Sequence, residues 1–196
     1  MIRLGLIRHG HTHWNRAGQI QGRSDIPLDA DARTELANLR LPEDWQTAHL
    51  CASPLKRAVE TAQIVADRDP DTIPALTEMN WGDWEGRKGV ELLAERGSGY
   101  KHIEDWGWEF HPPNGESVGQ LRDRLAPWVA SLTQDTLAIC HIGIMRVLLA
   151  QAYGWNFNGP APFKVKRGRI FVLHVRDGQL EPGGDPVRLV QRTATP

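Results

Sequence analysis

An apolar run, Leu4-Gly5-Leu6-Ile7, ends abruptly in Arg8-His9-Gly10, and no other feature of the chain constrains its fold so strongly. So short a run suits a strand buried on both faces, as parallel sheets require. The glycine that follows lets the backbone turn sharply and approach a ligand. In open α/β sheets, ligands sit beyond the carboxyl ends of the strands. Arg8 and His9 are therefore expected where a ligand binds. The pattern recurs in Ala48-His49-Leu50-Cys51-Ala52, which leads into Ser53, and in Thr136-Leu137-Ala138-Ile139-Cys140, which ends at His141.

Helical patterns separate these runs. Residues 10–27 are polar and glycine-bearing, a long loop on the ligand side. Residues 31–40 have helical character and are stopped by Pro42. Ser53-Pro54 reads as an N-cap with proline at the first helical position, opening a helix through Arg57, Ala62 and Val65. Residues 71–76 read as a strand or extended segment. Residues 77–115 carry Trp81, Trp84, Trp106 and Trp108 and form an excursion over the sheet, with one helix near 90–95. Its tryptophans are expected to be the core of a small lid, with one or two lining a pocket. A helix follows from Ser117 to Leu132, with Pro127 predicting a kink or break near Ala126. Another runs from about 144 to 153 and stops at Gly154. Residues 169–175 are a strand, Asp177-Gly178 is a hairpin signal, and residues 187–190 read as an edge strand. Strands alternating with helices predict a single α/β domain over 1–196. Its form is a three-layer α/β/α sandwich with a mostly parallel central sheet and a lid-like excursion at about 77–115.

The formal net charge of −1 gives no global basic field for nucleic acid, so any anion site must be local. Lys164, Lys166, Arg167 and Arg169 read as a solvated basic face. Cys51 and Cys140 lie inside the apolar runs and are expected to be buried free thiols. No apolar segment is long enough for a membrane span or a signal peptide, which makes a cytoplasmic location the expectation.

If the three strands are neighbours, His9, His141, Arg8 and Arg57 converge at one edge. Paired arginines hold an anion by forked hydrogen bonds, and phosphate suits that geometry. Helix N-termini after Ser53 and His141 add backbone donors. A neutral imidazole placed in line with a phosphoryl group can displace an alkoxide, and nearby arginine charge favours the neutral form. The leaving oxygen then needs a proton, for which Glu78, Asp83 and Glu85 are candidates. A different reading makes His9, His11 and His13 a metal site in a metal-dependent hydrolase. That places Arg8 beside a cation and leaves Arg57 without a role. A non-catalytic module that binds a phosphorylated ligand is the third reading.

The blocks follow one another in a known order. Arg8-His9-Gly10 continues as Thr12, Trp14-Asn15, Gln21-Gly22 and Asp25-Ile26-Pro27-Leu28. Ser53-Pro54-Leu55 is followed by Arg57-Ala58 and Thr61-Ala62. Then come Leu76-Thr77-Glu78 with Trp81-Gly82-Asp83-Trp84-Glu85-Gly86, Pro113-Asn114-Gly115-Glu116-Ser117, and His141. From about residue 2 to 175 the chain resembles the histidine phosphatase superfamily, the phosphoglycerate mutase-like fold. The resemblance implies that His9 is the nucleophile and Glu78 the proton donor. It implies that Arg8, Arg57 and His141 bind the phosphoryl group, with Asn15, Gln21, Gly22 and the Ile142 amide as further contacts. It also implies a small phosphorylated substrate and no metal or organic cofactor. Phosphatase action is favoured over mutase action, because the chain is compact and lacks the insertions that help mutases shield a phosphoenzyme. Interconversion of phosphoglycerates is the alternative. Ribazole phosphate, sugar phosphates and phosphoglycerates all fit as substrates, and oligomeric state leaves no signal. The chain departs from the pattern at His11, where Glu or Gln is common, and at His141-Ile142-Gly143, which replaces His-Gly-Gly. It also lacks the glycine that often opens the helix in residues 29–38.

Overall fold

The computed structural model describes residues 1–192, so the last four residues of the domain expected over 1–196 lie outside the described residues. The first apolar run forms β1 (Ile2–Arg8), with Leu4, Leu6 and Ile7 buried. Gly10 does not adopt a left-handed conformation. What the position requires is room: a Cβ there would lie 2.8 Å from a methyl of Leu36. The expected loop over 10–27 contains one helical turn, α1 (His13–Arg16). Thr12 and Asn15 close it by exchanging side-chain and backbone hydrogen bonds.

Asp29 caps α2 (Ala30–Ala37), which ends at Asn38 rather than running to residue 40. The chain then pairs as β2 (Leu39–Arg40), and Pro42 opens α3 (Glu43–Gln46) instead of closing the preceding helix. After β3 (His49–Ala52) the helix α4 (Lys56–Ala66) begins later than expected, with Leu55 at the N-cap position. The Ser53 hydroxyl accepts from the Leu55 amide at 3.3 Å, two residues short of the amides that a cap would take, and its closer partner is described below. Next come β4 (Asp71–Thr72), 3₁₀ turns at Pro74–Leu76 and Gly82–Trp84, and α5 (Gly89–Ala94).

Ser117 and Gln120 form a reciprocal cap on α6 (Val118–Ala130). The expected break at Pro127 is absent, since the helix continues to Ala130. Proline lies so near the end that little of the helical ladder remains to be lost. Then β5 (Thr136–Cys140) leads directly into α7 (Ile142–Tyr153), which starts two residues earlier than expected. It stops where Gly154 takes a φ of +66°. A two-residue turn joins β6 (Arg169–Arg176) to β7 (Gln179–Pro182), with Asp177 and Gly178 at positive φ of 51° and 75°. The expected edge strand over 187–190 is two pieces. β8 (Val187–Arg188) pairs with β6, and β9 (Val190–Gln191) pairs with β2.

The main sheet has the order β4-β3-β5-β1-β6-β7, with β8 also on β6. Its first four strands run parallel and β6 is antiparallel to β1. Side chains alternate across it. Leu4 and Leu6 join a cluster with Leu121, Leu125 and Leu148 on one face. Ile7 and Ile139 join Leu28, Leu36 and Ala58 on the other. This is the three-layer arrangement expected, with a mostly parallel central sheet. The excursion packs as an aromatic cluster. Trp106 stacks on Phe110 at 5.0 Å, and Trp84 meets Tyr100 edge-on at 5.1 Å. Cys51 and Cys140 are buried free thiols.

Candidate active site

Register brings the strand ends together. Arg8 lies opposite Cys140, and Ala52 opposite Ile139, so the residues that follow (His9, His141 and Ser53) leave the sheet side by side. The His9 amide still donates to the Cys140 carbonyl at 3.0 Å, and the Ser53 amide to that of Ile139 at 3.0 Å. The imidazoles of His9 and His141 lie 5.1 Å apart.

Nδ1 of His9 lies 2.6 Å from the Gly10 carbonyl, an acceptor only, so Nδ1 carries the hydrogen. Nε2 is left with a free lone pair. Burial, then His141, Arg57, Arg8 and Arg167, hold the His9 pKa well below the ordinary histidine value. The ring is neutral at neutral pH, which is the state a nucleophile requires.

Arg57 is fully buried and held on several sides. It donates to the carbonyls of Gly22 at 2.6 Å and Ser24 at 2.8 Å, and through Nε to Nδ1 of His141 at 3.3 Å. Because arginine keeps its proton, His141 accepts at Nδ1 and carries its hydrogen on Nε2. That nitrogen meets the Ser53 hydroxyl at 2.7 Å. Burial and Arg57 keep His141 neutral as well. Both of its nitrogens are thus engaged within the protein, and the role its geometry supports is to brace Arg57. Gly22 likewise contributes a carbonyl to Arg57.

Two buried donors have no partner among the described residues: Nε of Arg8 and Nε2 of Gln21. Orphaned donors in a cavity are what an anion would satisfy. The Gln21 carbonyl accepts from the Thr12 hydroxyl and from Nδ2 of Asn15, both at 3.0 Å, which fixes its amide. Arg8, His9, Gln21, Glu78, Tyr100 and Arg146 line one cavity of about 170 Å³, together with Asn15, Trp81 and Ile142. Ile142 is the first residue of α7, where helix amides lack intrahelical partners.

Of the carboxylates considered, only Glu78 lines this cavity. Asp83 accepts from Asn114 at 3.0 Å, and Glu85 from the amide of Ser24, so both brace loops. Burial raises the Glu78 pKa, opposed in part by amide donors from Gly143 at 3.0 Å and Met79 at 2.8 Å. The result is a carboxyl group kept protonated further up the pH scale than an exposed one, yet fixed in place. A Cβ on Gly143 would lie 2.3 Å from Glu78 Oε1. Gly143→Ala must therefore push the carboxyl off its amides. We expect a stability loss of about 1–3 kcal/mol and a fall of roughly 10²-fold in kcat/KM, read by thermal unfolding and by aryl phosphate turnover. Unchanged turnover would show that Glu78 has no need of this glycine.

Arg167 was expected on a solvated face, and the structure corrects that. It donates through Nε to the His9 carbonyl at 2.9 Å and through its terminal nitrogens to His11 Nε2 and Asn15 Oδ1, each at 3.0 Å. Burial and the neighbouring Arg8 and Arg16 bring it down to about 9. The histidines of the suggested metal site go separate ways: His9 to Gly10, His11 to Arg167, and His13 to the surface. Among the described residues, no three His, Cys, Asp or Glu side chains come together in a way that could hold a metal ion. Arg146, which the sequence reading did not single out, enters the cavity from α7 four residues after Ile142, a spacing that puts both on one helix face.

The profile of the histidine phosphatase superfamily (branch 1) matches residues 4–182. The chain belongs to that superfamily. The chain is 33% identical over 177 residues to adenosylcobalamin/alpha-ribazole phosphatase of Escherichia coli, covering 85% of this chain and 87% of that one. It is 35% identical over 179 residues to a probable phosphoglycerate mutase, GpmB, of Erwinia tasmaniensis, covering 87% and 83%. The crystal structure of a phosphoglycerate mutase from Thermus thermophilus superposes with a TM-score of 0.71 at 27% identity over the whole of both chains. This histidine phosphatase therefore has both phosphatases and phosphoglycerate mutase-like enzymes among its relatives. Among the described residues it has no helix long and apolar enough to cross a membrane.

Proposed function

We propose that the chain hydrolyses a small phosphomonoester through a phosphohistidine on His9. The observation that carries this reading is the state of His9. Its imidazole is buried and neutral, with Nε2 free, beside the unpartnered Arg8 and in the same cavity as Glu78. In the first step Nε2 forms a bond to phosphorus while the ester P–O bond breaks. Glu78 passes its proton to the departing oxygen. In the second, Glu78 takes a proton from water, whose oxygen attacks phosphorus as the P–N bond breaks. Inorganic phosphate leaves and Glu78 is again protonated. Arg8 and Arg57 offset the charge on the transferring group throughout.

A generic aryl phosphate should be hydrolysed undiminished in excess EDTA. Activity lost with chelator and restored by a divalent cation would replace this reading with metal-assisted hydrolysis. Transfer of phosphate to a phosphoglycerate faster than to water would replace it with mutase action.

A further inference from the structure

We propose that the cavity adjoining the phosphate site holds the alcohol portion of the substrate, and that this alcohol carries an apolar ring and an anionic group bound by Arg146 and Lys164. The proposal rests on the phosphomonoesterase reading above and narrows its substrate class.

The second cavity measures about 260 Å³, larger than the one holding His9, and shares Arg8, Ile142 and Arg146 with it. A phosphoryl group held by Arg8 therefore has open space for its ester substituent on the other side of Arg146. That space is lined by Ile103, Trp155, Ala161, Phe163 and Val165. Trp155 and Phe163 stand edge to face at 90° with ring centres 5.6 Å apart, a right-angled apolar corner that suits a flat ring. The indole N–H of Trp155 already donates to the Gly159 carbonyl at 3.1 Å, so it makes no polar demand on a ligand. Ligand sites of this kind combine an apolar lining with a few placed polar groups.

The placed groups here are cations. Arg57 is pinned by carbonyls, Arg167 by the His9 carbonyl and Asn15, and Arg124 by Glu116 and two carbonyls. No hydrogen bond or ion pair joins the Arg146 guanidinium to a described residue; its neighbours Glu78 and Tyr100 act on it only through space. Lys164 lies exposed at the mouth of the same cavity. Arg57 lines neither cavity and acts on a phosphoryl group only through space, so Arg8, with its unpartnered Nε, holds that group, and Arg146, which also lines the larger cavity, meets a second anion there. A carboxylate and a phosphate share the required chemistry.

The test compares phenyl phosphate with 4-carboxyphenyl phosphate and 4-(phosphonomethyl)phenyl phosphate. The expected result is a kcat/KM at least about tenfold higher for one of the two anionic esters, and which one identifies the anion. Arg146 also borders the phosphate, so the readout for Arg146→Gln is the ratio of anionic to neutral ester, which should fall to about one. Lys164→Gln, on an exposed side chain, should lower the same ratio several-fold. Equal kcat/KM for all three esters, or a ratio that survives both substitutions, overturns the proposal while leaving the phosphomonoesterase reading intact. If no ester is cleaved, that reading fails, and direct binding of 4-hydroxybenzoate decides the cavity. Binding weakened about tenfold by Arg146→Gln supports it, and no binding overturns it.

Discussion

His9→Ala is expected to lower kcat/KM by at least about 10⁴-fold, with loss of the acid-labile phosphate that the native protein acquires from substrate. The size follows from what the substitution leaves behind. Arg57 and Glu78 keep their hydrogen bonds, because neither bonds the His9 ring, and Arg8 has no bond to that ring to lose. Ester binding should therefore survive, and KM should change much less than kcat. Folding should survive too, since the backbone amide of residue 9 still bonds the Cys140 carbonyl. A His9→Ala protein that still turned over substrate and still took up acid-labile phosphate would move the nucleophile elsewhere.

For Glu78→Gln the expected loss depends on the ester. With a poor leaving group such as an alkyl alkoxide, removing the proton donor should cost about 10²–10⁴-fold in kcat/KM. With 4-nitrophenolate, which leaves without a proton, the cost should be far smaller. The amide can still accept a hydrogen bond at one atom only, so a moderate stability loss accompanies it. The pH profile gives a second reading. His9 must be neutral, and its pKa is depressed by burial and by the surrounding cations, so the rate falls only at low pH as it becomes protonated. Glu78 must be protonated for the first step, and burial raises its pKa, so the rate falls as pH rises through that value. The two limbs enclose an acid-side optimum of a coupled site. Glu78→Gln should abolish the high-pH limb for alkyl esters. Equal losses for alkyl and nitrophenyl esters, with the limb retained, would remove Glu78 from the role of acid.

The sheet was legible because buried strands announce themselves. Leu4 to Ile7, Leu50 to Ala52 and Leu137 to Cys140 are apolar on both faces, and each is followed by a residue that chemistry needs. Of the cavity residues, Arg8 and His9 stand at the end of such a strand, whereas Gln21 and Glu78 lie in loops and were legible only through the resemblance of their blocks to the family's. Helix ends were less legible. Ser53 has the composition of a cap, but its hydroxyl reaches only the Leu55 amide before the helix and is shared with His141, a residue distant in sequence that only the register of β3 on β5 brings near. Pro42 and Pro127 mislead for a related reason: what a proline does depends on where in a helix it falls. Arg167 was hidden by its neighbours. In a run with Lys164, Lys166 and Arg169 it carries no mark of its own, and its contacts with His9, His11 and Asn15 are all long-range. Arg146 had a signal, its spacing from Ile142 along α7, that a search confined to the known blocks passes over.

Arg167 also has a consequence for how such a protein can be altered. The chain between α7 and β6 is clamped at one end by the Gly154 helix stop and at the other by the arginine on the His9 carbonyl. Trp155, Ala161, Phe163, Lys164 and Val165 all lie between those clamps. The first part of this segment is core, because buried Phe157 packs on Trp106 and Trp108 and residues 157–159 bond the backbone of residues 104–107, so the stretch open to exchange is residues 160–166, which bears Phe163, Lys164 and Val165 and leaves both clamps and the nucleophile in place.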